Sequence, residues 1–283
     1  MQVKTMLYSL FANGNTKNNI FIFYSKLTGE EIKQIYNFIR KYKNDVNFIK
    51  IEDEYFNDAP LYRNCSKEIY YRLLAMEKLP YNIKRILYLD IDIIINNDLN
   101  KFYEADFENK YFIVCEDSNH SRINKELYRI LNIPEEYKYF NSGVMLFNLE
   151  LLRKDNQSEA INKFMSGEWK EKNKDFHDQN VLNALYYKDV KYIDNLIYNC
   201  FLKNIYGEER KKCLKDACIF HFAGIKPWNY KYPSKCYKIW WKYANKVGYR
   251  HKYYLFKIMH FVYMLRNRNN EYYKFLKEKE SKQ

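Results

Sequence analysis

The chain has 283 residues, 47% of them hydrophobic and 29% charged, with only 7 Gly and 5 Pro. That composition excludes a collagen-like, low-complexity or disordered chain, and it allows one large α/β domain with an appendage or two small domains. The net charge of +13 is uneven: from Asn229 onward fourteen Lys/Arg face three acids, a net of +11, so residues 1–228 carry only +2.

In chain order, residues 20–24 and 46–51 are strand-like and a helical pattern over about 30–42 separates them, which predicts a βαβ start. A second helix is expected over 66–79, with Ser66 as N-cap and Pro80 just past its end. Residues 86–95 form an almost wholly apolar strand pattern carrying Asp90 and Asp92 near its end. Further strands fit 111–115 and 143–147, and a helix begins at Asp178. Alternating elements of this kind predict an α/β fold with a mixed sheet flanked by helices. Ligands of such sheets bind beyond the carboxyl ends of the strands, which is where the Asp90/Asp92 pair falls.

The six cysteines (Cys65, Cys115, Cys200, Cys213, Cys218 and Cys236) show no zinc spacing and several lie in apolar runs, so buried free thiols of a reducing compartment are expected. No apolar run is long enough for a secretory leader or approaches the ~20 residues of a membrane span. Residues 229–283 mix cations with Tyr, Trp, Phe and Leu, as in Trp240-Trp241-Lys242-Tyr243. Helices of that composition suit an anionic bilayer surface. They equally suit aromatics packed onto the domain with solvated lysines outside. Nucleic acid is the weaker third reading, since no nucleic-acid module accompanies the segment.

Four places carry chemistry. In an extended backbone Asp90 and Asp92 project from one face and can converge on a cation, leaving positions for phosphate oxygens, although two solvated acids at a turn would read the same way. Asn141 precedes Gly143 at the mouth of a strand and can offer its amide to a sugar hydroxyl, or mark a plain turn. Asp178 and Gln179 open a helix, where Asp178 would serve as a cap if it had no other task. His221, Gly224 and Lys226 bring an imidazole, a glycine and a cation within six residues, a set that fits a diphosphate held beside a divalent ion.

Taken together, Leu87-Tyr88-Leu89-Asp90-Ile91-Asp92, residues 139–149, Asp178-Gln179 and residues 221–228 resemble the ordered signature of glycosyltransferase family 8, over about residues 8–228. The resemblance implies a GT-A-like fold, a UDP-hexose donor (glucose or galactose) and a divalent cation, Mn²⁺ or alternatively Mg²⁺. It also implies retention at the anomeric carbon and, by similarity to bacterial lipopolysaccharide galactosyl- and glucosyltransferases, a glycan, glycolipid or glycoprotein acceptor. It assigns the metal to Asp90, Asp92 and His221, and the nucleotide diphosphate to Ile91, Asp92, Gly224 and Lys226. Arg72, Asn141 and Asp178 then line the donor sugar, with Gln179 and Asp178 as catalytic residues. Double displacement and same-face attack both stay open.

Family members begin with a strand and an Asp-Asp-Asn-Tyr-like loop that holds uridine, whereas Met6-Leu7-Tyr8-Ser9-Leu10-Phe11 resembles the helix after that loop. Either the sequence starts late or the nucleotide pocket is incomplete. The second case would leave a non-catalytic carbohydrate- or membrane-binding relative. The expected division is a catalytic domain over 1–228 and a basic, aromatic, helical extension over 229–283. The expected location is cytoplasmic, peripheral on the inner face of a bacterial membrane.

Overall fold

A capping box starts the helix Gly29–Lys41: the Thr28 hydroxyl accepts from the Glu31 amide while the Glu31 carboxylate accepts from the Thr28 amide at 2.9 Å. With Glu30 and Glu31 in its first turn and Arg40 and Lys41 in its last, the helix Gly29–Lys41 also suits its own dipole. It connects β1 (Asn19–Tyr24) to β2 (Asp45–Lys50), which pair in parallel with Asn19 opposite Asp45. The βαβ start thus forms as the pattern predicts. The computed structural model describes residues 1–52, 56, 66–117, 125–166, 178–231 and 236–267. The chain divides into two compact units, one of Thr16–Asp90 with Leu99–Asn195, the other of Met1–Asn15, Ile91–Asp98 and Leu196–Gln283.

In the larger unit a second sheet runs β3 (Arg85–Leu89), β6 (Phe140–Asn148), β5 (Phe112–Glu116), β7 (Val190–Ile193). The first two pairings are antiparallel and the last is parallel, so the sheet is mixed, as expected. Its core is aromatic: Phe112, almost wholly buried, meets Phe147 edge-on at 4.9 Å and Tyr186 at 5.0 Å. Strand β6 starts earlier than the pattern predicts, so Asn141 and Gly143 lie within the strand and not before it; Asn141 is paired with β5 alone, and the ladder with β3 begins only at Val144. A bulge between Val114 and Cys115 brings Cys115 opposite Asn141.

The helix expected over 66–79 is instead a 3₁₀ helix, Lys67–Leu74, followed by one α-turn, Ala75–Lys78, and Ser66 makes no side-chain cap bond. Every side chain from Tyr70 to Leu74 is buried, so no polar face exists for an amphipathic α-helix to show to water. Pro80 does follow directly after this segment's end.

In the smaller unit the helix Gln2–Asn13 backs β4 (Ile93–Ile95), which pairs antiparallel with β8 (Ile219–His221) and sets Ile93 opposite His221. The strand's backbone is satisfied from that helix: Ser9 Oγ accepts from the Ile95 amide at 2.9 Å, and Asn13 Nδ2 donates to the Ile95 carbonyl at 2.9 Å. Residues 86–95 are therefore two strands serving two sheets, with Ile91 and Asp92 in a turn between them. The strand alternation expected to align Asp90 with Asp92 does not apply.

Residues 237–246 and 250–266 form two helices, Tyr237–Lys246 and Arg250–Arg266, that belong to the same unit as the helix Gln2–Asn13. Trp241 Nε1 donates to the Pro227 carbonyl at 3.1 Å, and Trp228 packs on Trp240 at 5.0 Å. Cys115, Cys200, Cys213 and Cys236 are buried free thiols and Cys218 is half-buried, while Cys65 lies outside the described residues. Among the described residues no helix is long and apolar enough to cross a membrane.

Because Phe112 joins β5 to both neighbouring aromatics, Phe112→Ala should lower stability by about 3–5 kcal/mol in urea denaturation. A loss under about 1 kcal/mol would show that this aromatic cluster is not the sheet's core.

Candidate active site

In the larger unit the site is organised by Arg72. Its side chain is buried to 5% exposure, and the guanidinium carbon lies over the Tyr88 ring, 4.2 Å from its centre. From there Nη2 donates to Asp90 Oδ1 at 3.0 Å, Nε pairs with Asp178 Oδ2 at 3.0 Å, and Nη1 donates to the Ser142 carbonyl. One planar fork therefore gathers an acid from the end of β3, an acid from the start of the helix Asp178–Tyr186, and β6. Tyr88 Oη also donates to Asp90 Oδ1, at 2.8 Å. Burial pushes the Tyr88 phenol well above its ordinary value, so it keeps its proton and remains a donor.

Beside this fork stands an amide network. Gln179 Oε1 accepts from Asn141 Nδ2 at 3.1 Å and from the Ser142 amide at 3.0 Å, while Gln179 Nε2 donates to Asp117 Oδ2 at 3.1 Å. Asn141 Oδ1 accepts from the Gly143 amide at 3.0 Å, and Ser142 Oγ donates to Asp178 Oδ2 at 3.1 Å. Asn183, one helical turn after Gln179, clamps the helix to β6: its Oδ1 accepts from the Phe140 amide and its Nδ2 donates to the Phe140 carbonyl, both at 2.8 Å. The Asp178 carboxylate thus points at Arg72 and Ser142. Asp117, fully inside this network, carries no motif, and nothing in the sequence marks it.

The smaller unit holds the second cluster. Asp92, 5% exposed, has Oδ1 3.4 Å from His221 Nε2, and its Oδ2 accepts from the Lys226 ammonium. Burial works to raise the Asp92 carboxyl, but the His221 and Lys226 charges and the hydrogen bonds from both outweigh it and hold the group well below the usual carboxylate range. Asn199 Oδ1, which can only accept, lies 2.7 Å from His221 Nδ1. Nδ1 therefore carries a proton toward Asn199, and Nε2 is the nitrogen turned toward Asp92. Gly224 adopts φ +83°, and a Cβ there would come within 3.3 Å of Lys203 Nζ, which donates to the Ala223 carbonyl at 2.6 Å. The positive φ favours glycine at this position, and the Lys203 ammonium would have to shift slightly to admit any side chain. Ile91 is half-exposed in the turn, joining Asp90 to Asp92 through a single residue. Sequence reasoning missed Asn199 and Lys203 because neither belongs to a motif: only Asn199's lying before an apolar run could have drawn notice.

The architecture is shared with a solved glycosyltransferase. A crystal structure of the galactosyltransferase LgtC with donor and acceptor sugar analogues is similar with a TM-score of 0.70 at 18% identity, covering 89% of this chain and 95% of that one. The fold is therefore of the GT-A-like class of glycosyltransferases. Residues 1–232 match glycosyl transferase family 8, and the chain belongs to that family. Among curated relatives, lipopolysaccharide 1,2-glucosyltransferase of Escherichia coli is 29% identical over 226 residues, 76% of this chain and 66% of that protein. Lipopolysaccharide 1,3-galactosyltransferase of Salmonella typhimurium is 22% identical over 224 residues, 78% of this chain and again 66% of that protein. The match spans just under two thirds of either relative's length.

Replacing Arg72 strips Asp178 of its buried counter-ion, so Arg72→Leu should lower stability by about 3–5 kcal/mol. The double variant Arg72→Leu/Asp178→Leu should recover part of that loss, read by urea denaturation as a non-additive cycle. Strictly additive losses would remove Arg72 from the centre of this cluster.

Proposed function

We propose that the chain transfers a hexose, glucose or galactose, from a UDP-sugar to a glycan or glycolipid acceptor with retention at the anomeric carbon, using a divalent cation. The observation that carries this reading is the buried Asp92 carboxylate, flanked by an imidazole on one oxygen and an ammonium on the other. That convergence of positive charge is what a carboxylate needs to stay ionised in a dry site, and a divalent cation supplies the same compensation.

The donor set proposed for such an ion is Asp90, Asp92 and His221, two carboxylates and an imidazole, a combination that suits Mn²⁺ and tolerates Mg²⁺. When bound, the cation would act as a Lewis acid on the diphosphate oxygens. The chain's own groups do the rest. Lys226 supplies a mobile ammonium, 39% exposed, for the charge that develops on the departing diphosphate, and the glycine at 224 lets the backbone come close. Arg72 fixes the positions of Asp90 and Asp178 by pairing with both, so that Asp178 and Asn141 can accept from and donate to sugar hydroxyls. Gln179, whose amide oxygen already accepts from the Asn141 side chain and the Ser142 amide, acts by lining the ring. The catalytic part is taken to be 1–228 and the location cytoplasmic, at the inner face of a bacterial membrane where a glycolipid acceptor would be presented.

Incubation with UDP-glucose or UDP-galactose, Mn²⁺ and a panel of acceptors should release UDP. EDTA should abolish the release, and Asp92→Asn should lower it at least about a hundredfold, the scale for losing one transition-state charge contact. No release with any UDP-sugar would sink the transferase reading. Independently of turnover, Asn199→Leu should weaken Mn²⁺ binding, followed by electron paramagnetic resonance, by about 10–100-fold, because the His221 ring loses the partner that sets its tautomer. Asn199→Asp keeps an acceptor and should bind nearly as well as wild type. Unchanged affinity in Asn199→Leu would remove His221 from the ligand set.

A further inference from the structure

The helix Arg250–Arg266 has two apolar sides, and among the described residues only one of them meets a partner. On its inner side Phe256 is buried against Trp241 at 5.2 Å and Tyr237 at 5.4 Å, and Tyr253 packs on Trp241 at 5.2 Å. His260 Nδ1 approaches the Tyr230 carbonyl at 2.6 Å, and Tyr263 meets the Tyr230 ring at 6.3 Å. At 3.6 residues per turn, Tyr254, Leu255, Ile258, Phe261, Val262 and Leu265 share the opposite side. All six are exposed, Ile258 to 61%. Single exposed apolar residues are ordinary, but a stripe running three turns is not.

The borders of that stripe say what it meets. Arg250 and Lys257 lie along one edge and Lys252 and Arg266 along the other, all exposed, and no Asp or Glu occurs anywhere in 250–266. Long cationic side chains on both edges can reach past an apolar face to anionic headgroups. A second copy of the chain would bring the same four cations against themselves with no acid to receive them, so self-pairing is disfavoured by charge. The helix, about 25 Å long, is too short and too charged at its borders to span a bilayer, which leaves it lying in the interfacial plane.

We propose that the outward stripe of the helix Arg250–Arg266 docks onto an anionic lipid surface, with its apolar side chains among the acyl chains and its four bordering cations on phosphate groups. The inference stands apart from the transferase reading, because lipid binding is measured with no substrate present.

The test is co-sedimentation of the full chain with vesicles of phosphatidylcholine alone and of phosphatidylcholine mixed with phosphatidylglycerol. Binding to the mixed vesicles should be at least about tenfold tighter, and Lys257→Glu/Arg266→Glu should abolish that preference. Ile258→Glu/Phe261→Glu alters exposed positions only and should keep the wild-type Trp emission and circular dichroism while losing about tenfold or more in binding. Equal binding to both vesicle types would overturn the proposal, as would binding unchanged in either variant. A dimer seen by sedimentation equilibrium and dissolved by Ile258→Glu/Phe261→Glu would assign the stripe to a second copy and overturn it equally.

Discussion

One buried carboxylate organises the smaller unit. Asp92 is taken out of water by the turn after Ile91, and burial alone would drive it to protonate. It stays charged because β8 brings His221 to one oxygen and the loop after Gly224 brings Lys226 to the other. Its backbone carbonyl accepts from the Phe222 amide at 2.9 Å, so the same residue also ties the turn to the strand that carries its partner. The loop is held in turn at its far end by Trp241, whose indole donates to Pro227. Charge compensation at a single group thus explains why a turn, a strand and a tryptophan helix, far apart in sequence, occupy one place.

The larger unit uses the opposite logic, one cation serving several acceptors. Arg72 is available as a hub because the 3₁₀ helix Lys67–Leu74 buries every side chain from Tyr70 to Leu74, and a regular amphipathic helix would have left a charged residue of that kind facing solvent. The helix Asp178–Tyr186 is then positioned by Asn183, whose side chain bonds both backbone groups of Phe140 as a neighbouring strand would. The spacing between Asp178-Gln179 and Asn183 follows from this: the amide clamps one turn away while the first two residues of the helix reach Ser142, Asn141 and Asp117.

Much of this was legible in the sequence, and the limits have physical causes. The βαβ start announced itself through its periodicity, and Asp90, Asp92, Asp178, His221 and Lys226 through residue types that rarely cluster without a task. What was misread is whatever depends on partners distant in the chain. The run from Ile86 to Ile95 looks like one strand because both of its halves are apolar, and only pairing with β6 and with β8 separates them. Asn141 looks like a turn residue because the Gly two positions on suggests one, while burial and pairing with β5 override that local preference. Asp117 and Asn199 were invisible, since a solitary polar residue acquires meaning only from what it touches.

The division of residues 86–95 between two ladders has a further consequence for how this stretch can change over generations. Leu89 is in register with Val144, and four positions later Ile93 is in register with His221. A residue inserted or deleted within Arg85–Leu89 would turn every later side chain of that strand to the opposite face against β6, and one within Ile93–Ile95 would do the same against β8. Length inside each short strand is therefore held more tightly than the apolar letters that spell it, and each strand answers to its own partner.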